Sequence, residues 1–211
     1  MQNNKSFDWD KFSHTPIVAI LRGYDLETIQ SIARSYSAAG FYALEVTMNT
    51  VGAAEIIDLL QKEFDALSIG AGTVCTMPDL EAALAAGAQF IVTPILDEQI
   101  VQHCVQENIP VFPGAYTPTE IYRAWSAGAS AVKVFPAAQL GAKYIKDVLA
   151  PLNEIRLLPT GGVSLENIGD YFEAGAAGVG MGSSLLDKKL IEREDYDGLK
   201  DHFLKLAEQI K

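Results

Sequence analysis

Cysteine is scarce in this chain of 211 residues: Cys75 and Cys104 are the only two, and they form no CxxC pair. That excludes a disulfide framework and a thiolate metal centre, and it suits a reducing compartment. Histidine is equally thin. His14 precedes the first apolar run, His103 falls in a helical stretch and His202 lies near the C-terminus. No histidine cluster is therefore expected to hold a Lewis-acid metal, and neither a metal nor another cofactor is expected. Positive charge is in deficit, with 16 Lys and Arg against 27 Asp and Glu, a formal net charge of −11. Phosphate backbones and anionic lipid surfaces repel such a chain, so nucleic acid and membrane are not expected partners. No apolar run approaches the roughly 18 residues of a membrane span. The opening MQNNKSFDWDKF has neither the basic nor the apolar region of a signal peptide. Linkers and low-complexity stretches are missing too. The expectation is a cytoplasmic protein with one domain over residues 1–211.

What the chain does have is rhythm. Short β-rich runs occur at 17–21, 41–46, 67–72, 89–93, 110–114, 130–135, 155–159 and 177–181, with helical stretches between them. Asp25 is placed to cap a helix whose apolar stripe is Leu26, Ile29, Ile32, Ala33 and Tyr36, one face at helical spacing. Thr117-Pro118-Thr119-Glu120 reads as a capping box with proline in the first turn, and Asp97 and Ser164 open further helices. Gly40, Gly87, Gly128 and Gly175 follow helical patterns, where a left-handed C-cap favours glycine. The segment from Phe7 to Phe12 reads as a short helix plugging one end of the interior, and Tyr196 to Lys211 as an amphipathic C-terminal helix.

The same four glycines expose an internal repeat: AGFYALEVT, AGAQFIVTP, AGASAVKVFP and AGAAGVGMG, recurring at 47, 41 and 47 residues. Each interval holds two strand–helix units. Such alternation with right-handed crossovers gives a parallel sheet, and eight units close into a (β/α)8 TIM barrel. An open doubly wound sheet is the rival, but its usual first-turn GxGxxG is missing.

Alternate barrel strands contribute four side chains to each interior layer. Counting five residues from each repeat glycine puts Glu45, Val92, Lys133 and Gly180 in one layer. Two residues further come Thr47, Pro94, Phe135 and Gly182, nearer the mouth. A carboxylate and an ammonium on an apolar wall are costly unless paired or functional. A desolvated lysine loses basicity and becomes an amine nucleophile, and Glu45 is the carboxylate placed to move protons for it. A structural ion pair is the plainer alternative. Gly180 leaves space that a ligand can use.

Loops after strands 7 and 8 are the usual phosphate site of this barrel. Here they carry Thr160-Gly161-Gly162 and Gly182-Ser183-Ser184. Those glycines can also serve merely as tight turns. Arg22 ends strand 1 and matches a carboxylate, or is a surface charge beside Gly23. Thr73 ends the GAGT run, as a binding hydroxyl or a cap, although Thr76 is the better cap.

ALEVT around Glu45, GAGTV at 70–74, FIVTP at 90–94, FPGAYTPTE at 112–120, AVKVFPA at 131–137, LPTGGVS at 158–164 and GMGSSL at 180–185 run in order at matching spacing. Together they resemble the KDPG/KHG aldolase family, from about Pro16 to Ser184. The resemblance implies a class I aldolase with a Schiff-base lysine at Lys133 and a general acid/base at Glu45. It implies contacts to the pyruvyl half from Thr73, Pro94 and Phe135, and to phosphate from Gly161, Gly162 and Ser183. The substrate implied is a 2-keto-3-deoxy sugar acid phosphate, cleaved reversibly to pyruvate and glyceraldehyde 3-phosphate, or 4-hydroxy-2-oxoglutarate. A homotrimer is implied as well. Many members carry an arginine in EVTLRT where this chain has Asn49, an exchange shared with related enzymes acting on the galactonate epimer. Cleavage of that epimer is the first alternative. A phosphosugar isomerase or synthase without a Schiff base, and a non-catalytic phosphometabolite binder, remain open on fold alone.

Overall fold

The computed structural model describes residues 7–210. Residues 1–6 and 211, parts of the terminal readings above, lie outside the described residues. In chain order the structure runs α1 (Trp9–His14), β1 (Ile17–Leu21), α2 (Leu26–Ala38), β2 (Ala43–Thr47), α3 (Ala53–Glu63) and β3 (Ser68–Gly72). It continues through α4 (Met77–Ala85), β4 (Ile91–Val92), α5 (Glu98–Gln106), β5 (Val111–Phe112), β6 (Gly114–Ala115) and α6 (Pro118–Ser126). Then come β7 (Val132–Val134), α7 (Gly141–Leu149), β8 (Leu157–Pro159), α8 (Ile168–Glu173), β9 (Val179–Met181), α9 (Lys188–Glu192) and α10 (Tyr196–Glu208).

The result is an α/β fold on a curled parallel sheet. One sheet runs in the order β5-β4-β3-β2-β1-β9 and a second in the order β6-β7-β8. Register places Ile20 beside Glu45 and Glu45 beside Gly70 in the first, and Gly114 beside Lys133 and Lys133 beside Leu158 in the second. The fifth apolar run differs from expectation: in place of one strand over 110–114 it forms two short ones, Val111–Phe112 and Gly114–Ala115. Pro113 separates them, because proline offers no N–H to a ladder; its carbonyl still accepts from Lys133 N at 2.9 Å.

The helices follow their sequence signals closely. Asp25, Thr76, Asp97 and Thr117 accept from backbone N–H groups of their helices, and Thr76 and Thr117 complete capping boxes. Ser164 does not cap: α8 starts after Asn167, whose Oδ1 accepts from Ser164 N at 2.8 Å, so a turn precedes the helix. Gly40, Gly87, Gly128 and Gly175 all have positive φ, as C-caps of this type require. The stripe on α2 is buried at Ile29, Ile32, Ala33 and Tyr36 and packs toward α10.

At the end where the strands begin, Phe7 lies within 5.5 Å of Trp9, Phe12, Phe90 and Phe112, ring centre to ring centre. With Val18, Ala43, Ala131 and Leu158 these rings fill the interior, and the Arg156 guanidinium covers Trp9 at 4.6 Å. The expected plug is thus present, with its helix beginning at Trp9 behind the cap of Asp8.

Candidate active site

Glu45 and Lys133 sit on opposite sheets and face one another across the interior. Both border a small chamber walled by Val18, Val92, Phe112 and Leu158. Its volume is about 10 Å³, room for one water at most. Val92 and Gly180 line it too, so the four residues assigned to one layer do come together. The gap above Gly180 is not empty, however. A Cβ there would collide with the Thr160 side chain, which occupies the space that the missing side chain leaves.

Gly72 performs a similar service for Glu45. A Cβ at Gly72 would meet the Glu45 carboxyl group itself, so the carboxyl leans against bare backbone of the neighbouring strand. Glu45 is 1% exposed, and its Oε2 has no hydrogen-bond partner among the described residues. An unsatisfied buried carboxyl oxygen calls for a partner, which a bound water, a ligand or its own proton can supply. Burial pushes the Glu45 carboxyl above the usual range, opposed by the charges of Lys133 and then Arg22. Burial lowers Lys133 below the lysine range, opposed by Glu45 and reinforced by Arg22. The pair therefore tends toward a neutral amine facing a carboxyl group that can hold a proton. That is the ionisation needed for attack on a carbonyl and for relaying the protons that follow. The Phe135 ring stands 5.0 Å from Lys133 Nζ.

Over this chamber opens a larger cavity of about 340 Å³, where the strands end. Lys133 and Thr160 border both spaces. Arg22, Phe135, Gly161, Gly162, Gly182 and Ser183 line the larger one, as the expected layout requires. Gly161 and Gly162 have φ of 85° and 82°, a region open to glycine. A Cβ on Gly162 would also lie 2.5 Å from Ala138 Cβ. The Gly162 and Ser183 N–H groups have no acceptor among the described residues, whereas the Ser184 hydroxyl is committed to Val163 O at 2.5 Å. Free donors at two adjacent glycine turns make a neutral cradle for an anion.

The remaining expected residues divide. Arg22 Nη2 donates to Thr73 Oγ1 at 3.2 Å, which ties the ends of β1 and β3 together. Thr73 has φ of 55°, uncommon for a β-branched residue and a mark of local constraint. Pro94 borders a second, neighbouring cavity and meets the first through Phe135, which lines both. Asn49 is exposed in the turn after β2 and lines neither cavity. Tyr24 and Lys188 also line the main cavity and were missed. Tyr24 lies just past the end of β1, a position that the barrel's strand-end rule favours. Lys188 starts α9, a five-residue helix with no periodicity long enough to read. Among the described residues no group of three or more His, Cys, Asp or Glu side chains is arranged to hold a metal ion.

Comparison with known proteins agrees with this geometry. A family model described as KDPG and KHG aldolase matches residues 10–201. The chain is 40% identical over 157 residues to a 2-dehydro-3-deoxy-phosphogluconate aldolase of Treponema pallidum, covering 74% of this chain and 73% of that one. It is 36% identical to a 2-dehydro-3-deoxy-6-phosphogalactonate aldolase of Escherichia coli, covering 81% and 84%. A KDPG aldolase from Legionella pneumophila, solved with pyruvate captured as a covalent carbinolamine, superimposes with a TM-score of 0.84 at 27% identity, covering 95% and 98%. The isomerase, synthase and binder left open by fold alone fall away. The chain belongs to the KDPG and KHG aldolase family, a family of carbon–carbon lyases.

Proposed function

We propose that this protein is a class I aldolase that reversibly cleaves 2-keto-3-deoxy-6-phosphogluconate to pyruvate and glyceraldehyde 3-phosphate, and also accepts 4-hydroxy-2-oxoglutarate. The observation that carries the reading is the buried Lys133 facing the unsatisfied carboxyl of Glu45 beneath an anion-ready cavity. The Lys133 amine adds to the carbon-2 carbonyl, and loss of water gives an iminium. Glu45 takes the proton from the carbon-4 hydroxyl as the bond between carbons 3 and 4 breaks, which releases the aldehyde. The enamine left behind takes a proton at carbon 3, and water then frees pyruvate and the lysine. Gly161, Gly162, Gly182 and Ser183 receive the phosphate; Thr73, Thr160, Pro94 and Phe135 border the pyruvyl end.

The same proposal closes the two sheets into one single-domain (β/α)8 barrel. The isolated parallel bridge between Thr160 and Gly180, and the direct continuity of β5 into β6 through Pro113, support it. The homotrimer and the cytoplasmic placement expected from the sequence belong to it too. Ile95, Tyr116 and Tyr122, exposed apolar side chains, favour self-association. A second substrate reading rests on Asn49: the galactonate epimer. Pyruvate release from the two carbon-4 epimers, measured side by side, tests both. Faster release from the gluconate form is expected; faster release from the galactonate form transfers the assignment, and release from neither defeats the aldolase reading.

Arg22 is proposed to hold the substrate carboxylate, taking over the charge that Asn49 lacks. Arg22→Ala is expected to weaken pyruvate and intact substrate alike, by roughly 10–150-fold for the loss of a charge-assisted contact. Arg22 also helps depress Lys133. Its removal therefore raises the lysine, and iminium formation from pyruvate should begin at higher pH. An unchanged pyruvate affinity and an unchanged pH limb would return Arg22 to the rim.

A further inference from the structure

We propose that Lys188 is the cation that holds the phosphate end of the substrate, and that it sets this site's preference for a phosphorylated over an unphosphorylated 2-keto acid; this rests on the aldolase reading above. Three cationic side chains border the main cavity: Arg22, Lys133 and Lys188. Lys133 is buried at the chamber below and committed to the carbonyl carbon. Arg22 is tied to Thr73 at the ends of β1 and β3, and its charge is felt by Glu45. Both therefore serve the carboxylate end. The glycine turns and Ser183 offer only neutral donors to a group that carries close to two negative charges. In a chain of net charge −11, neutral donors alone leave a dianion facing an unfavourable field.

Lys188 answers that deficit. It follows Ser183 by five residues and lines the same cavity. The ion pairs found among the described residues involve Lys11, Arg34, Lys62 and Arg123, so the Lys188 ammonium has no acidic partner there. The carboxylate next to it in sequence is turned away. Asp187 Oδ1 accepts from Lys189 N at 2.9 Å and Leu190 N at 3.3 Å, capping α9. A lysine on a flexible stem acts on phosphate as a point charge and needs no fixed fork geometry. Lys189 lines none of the site and supplies the control.

The test uses the full chain with 2-keto-3-deoxy-6-phosphogluconate and 4-hydroxy-2-oxoglutarate as substrates, and with inorganic phosphate as a binding probe read by phosphorus NMR. Lys188→Gln is expected to lower the ratio of kcat/KM for the phosphorylated acid over the unphosphorylated one by about 10-fold, through KM. Phosphate affinity should fall in parallel. Lys188→Arg should restore most of both, and Lys189→Gln should shift neither. An unchanged ratio with unchanged phosphate affinity in Lys188→Gln overturns the proposal, and so does an equal loss in Lys189→Gln. If the parent cleaves neither acid, the aldolase reading fails, and the phosphate titration alone then decides the role of Lys188.

Discussion

Lys133→Met is expected to lower cleavage by roughly 10⁴-fold or more, the scale of losing a covalent nucleophile whose partners act as a unit with it. Methionine keeps the unbranched stem against Val92, Phe112 and Leu158, so the interior stays filled. It also removes one of two facing ionisable groups, and without the Lys133 charge that lowered it the Glu45 carboxyl, already pushed upward by burial, moves further toward its neutral form. Folding should survive on that account. The covalent step can be read directly. Pyruvate with borohydride should add a reduced pyruvyl mass to the parent on the peptide carrying Lys133, and add nothing to the Lys133→Met chain. Labelling of Lys143 or Lys146, or appreciable turnover without Lys133, would sink the Schiff-base chemistry while leaving the family membership intact.

Glu45→Gln is the second large effect, expected at roughly 10²–10⁴-fold in turnover, the usual contribution of a positioned acid or base. The amide fills the same volume against Gly72, so substrate binding should change little. The pH behaviour separates a chemical role from a structural one. In the parent, burial holds the Glu45 carboxyl above the ordinary carboxylate range and lowers Lys133 beneath the lysine range. Activity at the acid end is lost as the amine gains its proton. The glutamine variant loses the carboxylate limb, and it also loses the negative charge that favoured the ammonium form of Lys133. Its remaining limb should therefore move to lower pH. Near-parent turnover with a lowered Tm would instead mean that Glu45 only fills space.

Much of this layout was legible in the chain because two simple periods govern it. The repeat glycines align Glu45, Val92, Lys133 and Gly180 correctly, since each C-cap glycine meets its strand after a connection of fixed length. Capping residues were equally readable, because an Asp or Thr with the right successor is a local device. What escaped was set by distant neighbours. The space over Gly180 belongs to Thr160, which follows β8 and bridges to Gly180. Ser164 yields to Asn167, three residues on, which offers a better acceptor. Pro113 divides a strand whose pattern alone reads as continuous. Asn49 is exposed in the turn after β2 and lines neither cavity, and a motif position alone carries no side-chain direction. Lys188 gave no signal, because a single charge on a five-residue helix has no pattern around it.

The aromatic plug formed by Phe7, Phe12, Phe90 and Phe112 has a kinetic meaning. With the lower interior filled, a ligand that reaches Lys133 enters and leaves on the side of Arg22 and Ser183. On the proposed chemistry, the three-carbon fragment stays tethered at the bottom of that passage while the phosphorylated aldehyde lies above it. Departure is then compulsorily sequential. The aldehyde must clear the mouth before water can reach the tether, and in the synthetic direction the ketoacid must load before the aldehyde arrives. A ring of phenylalanines far from any reacting atom thereby dictates the order of the rate law.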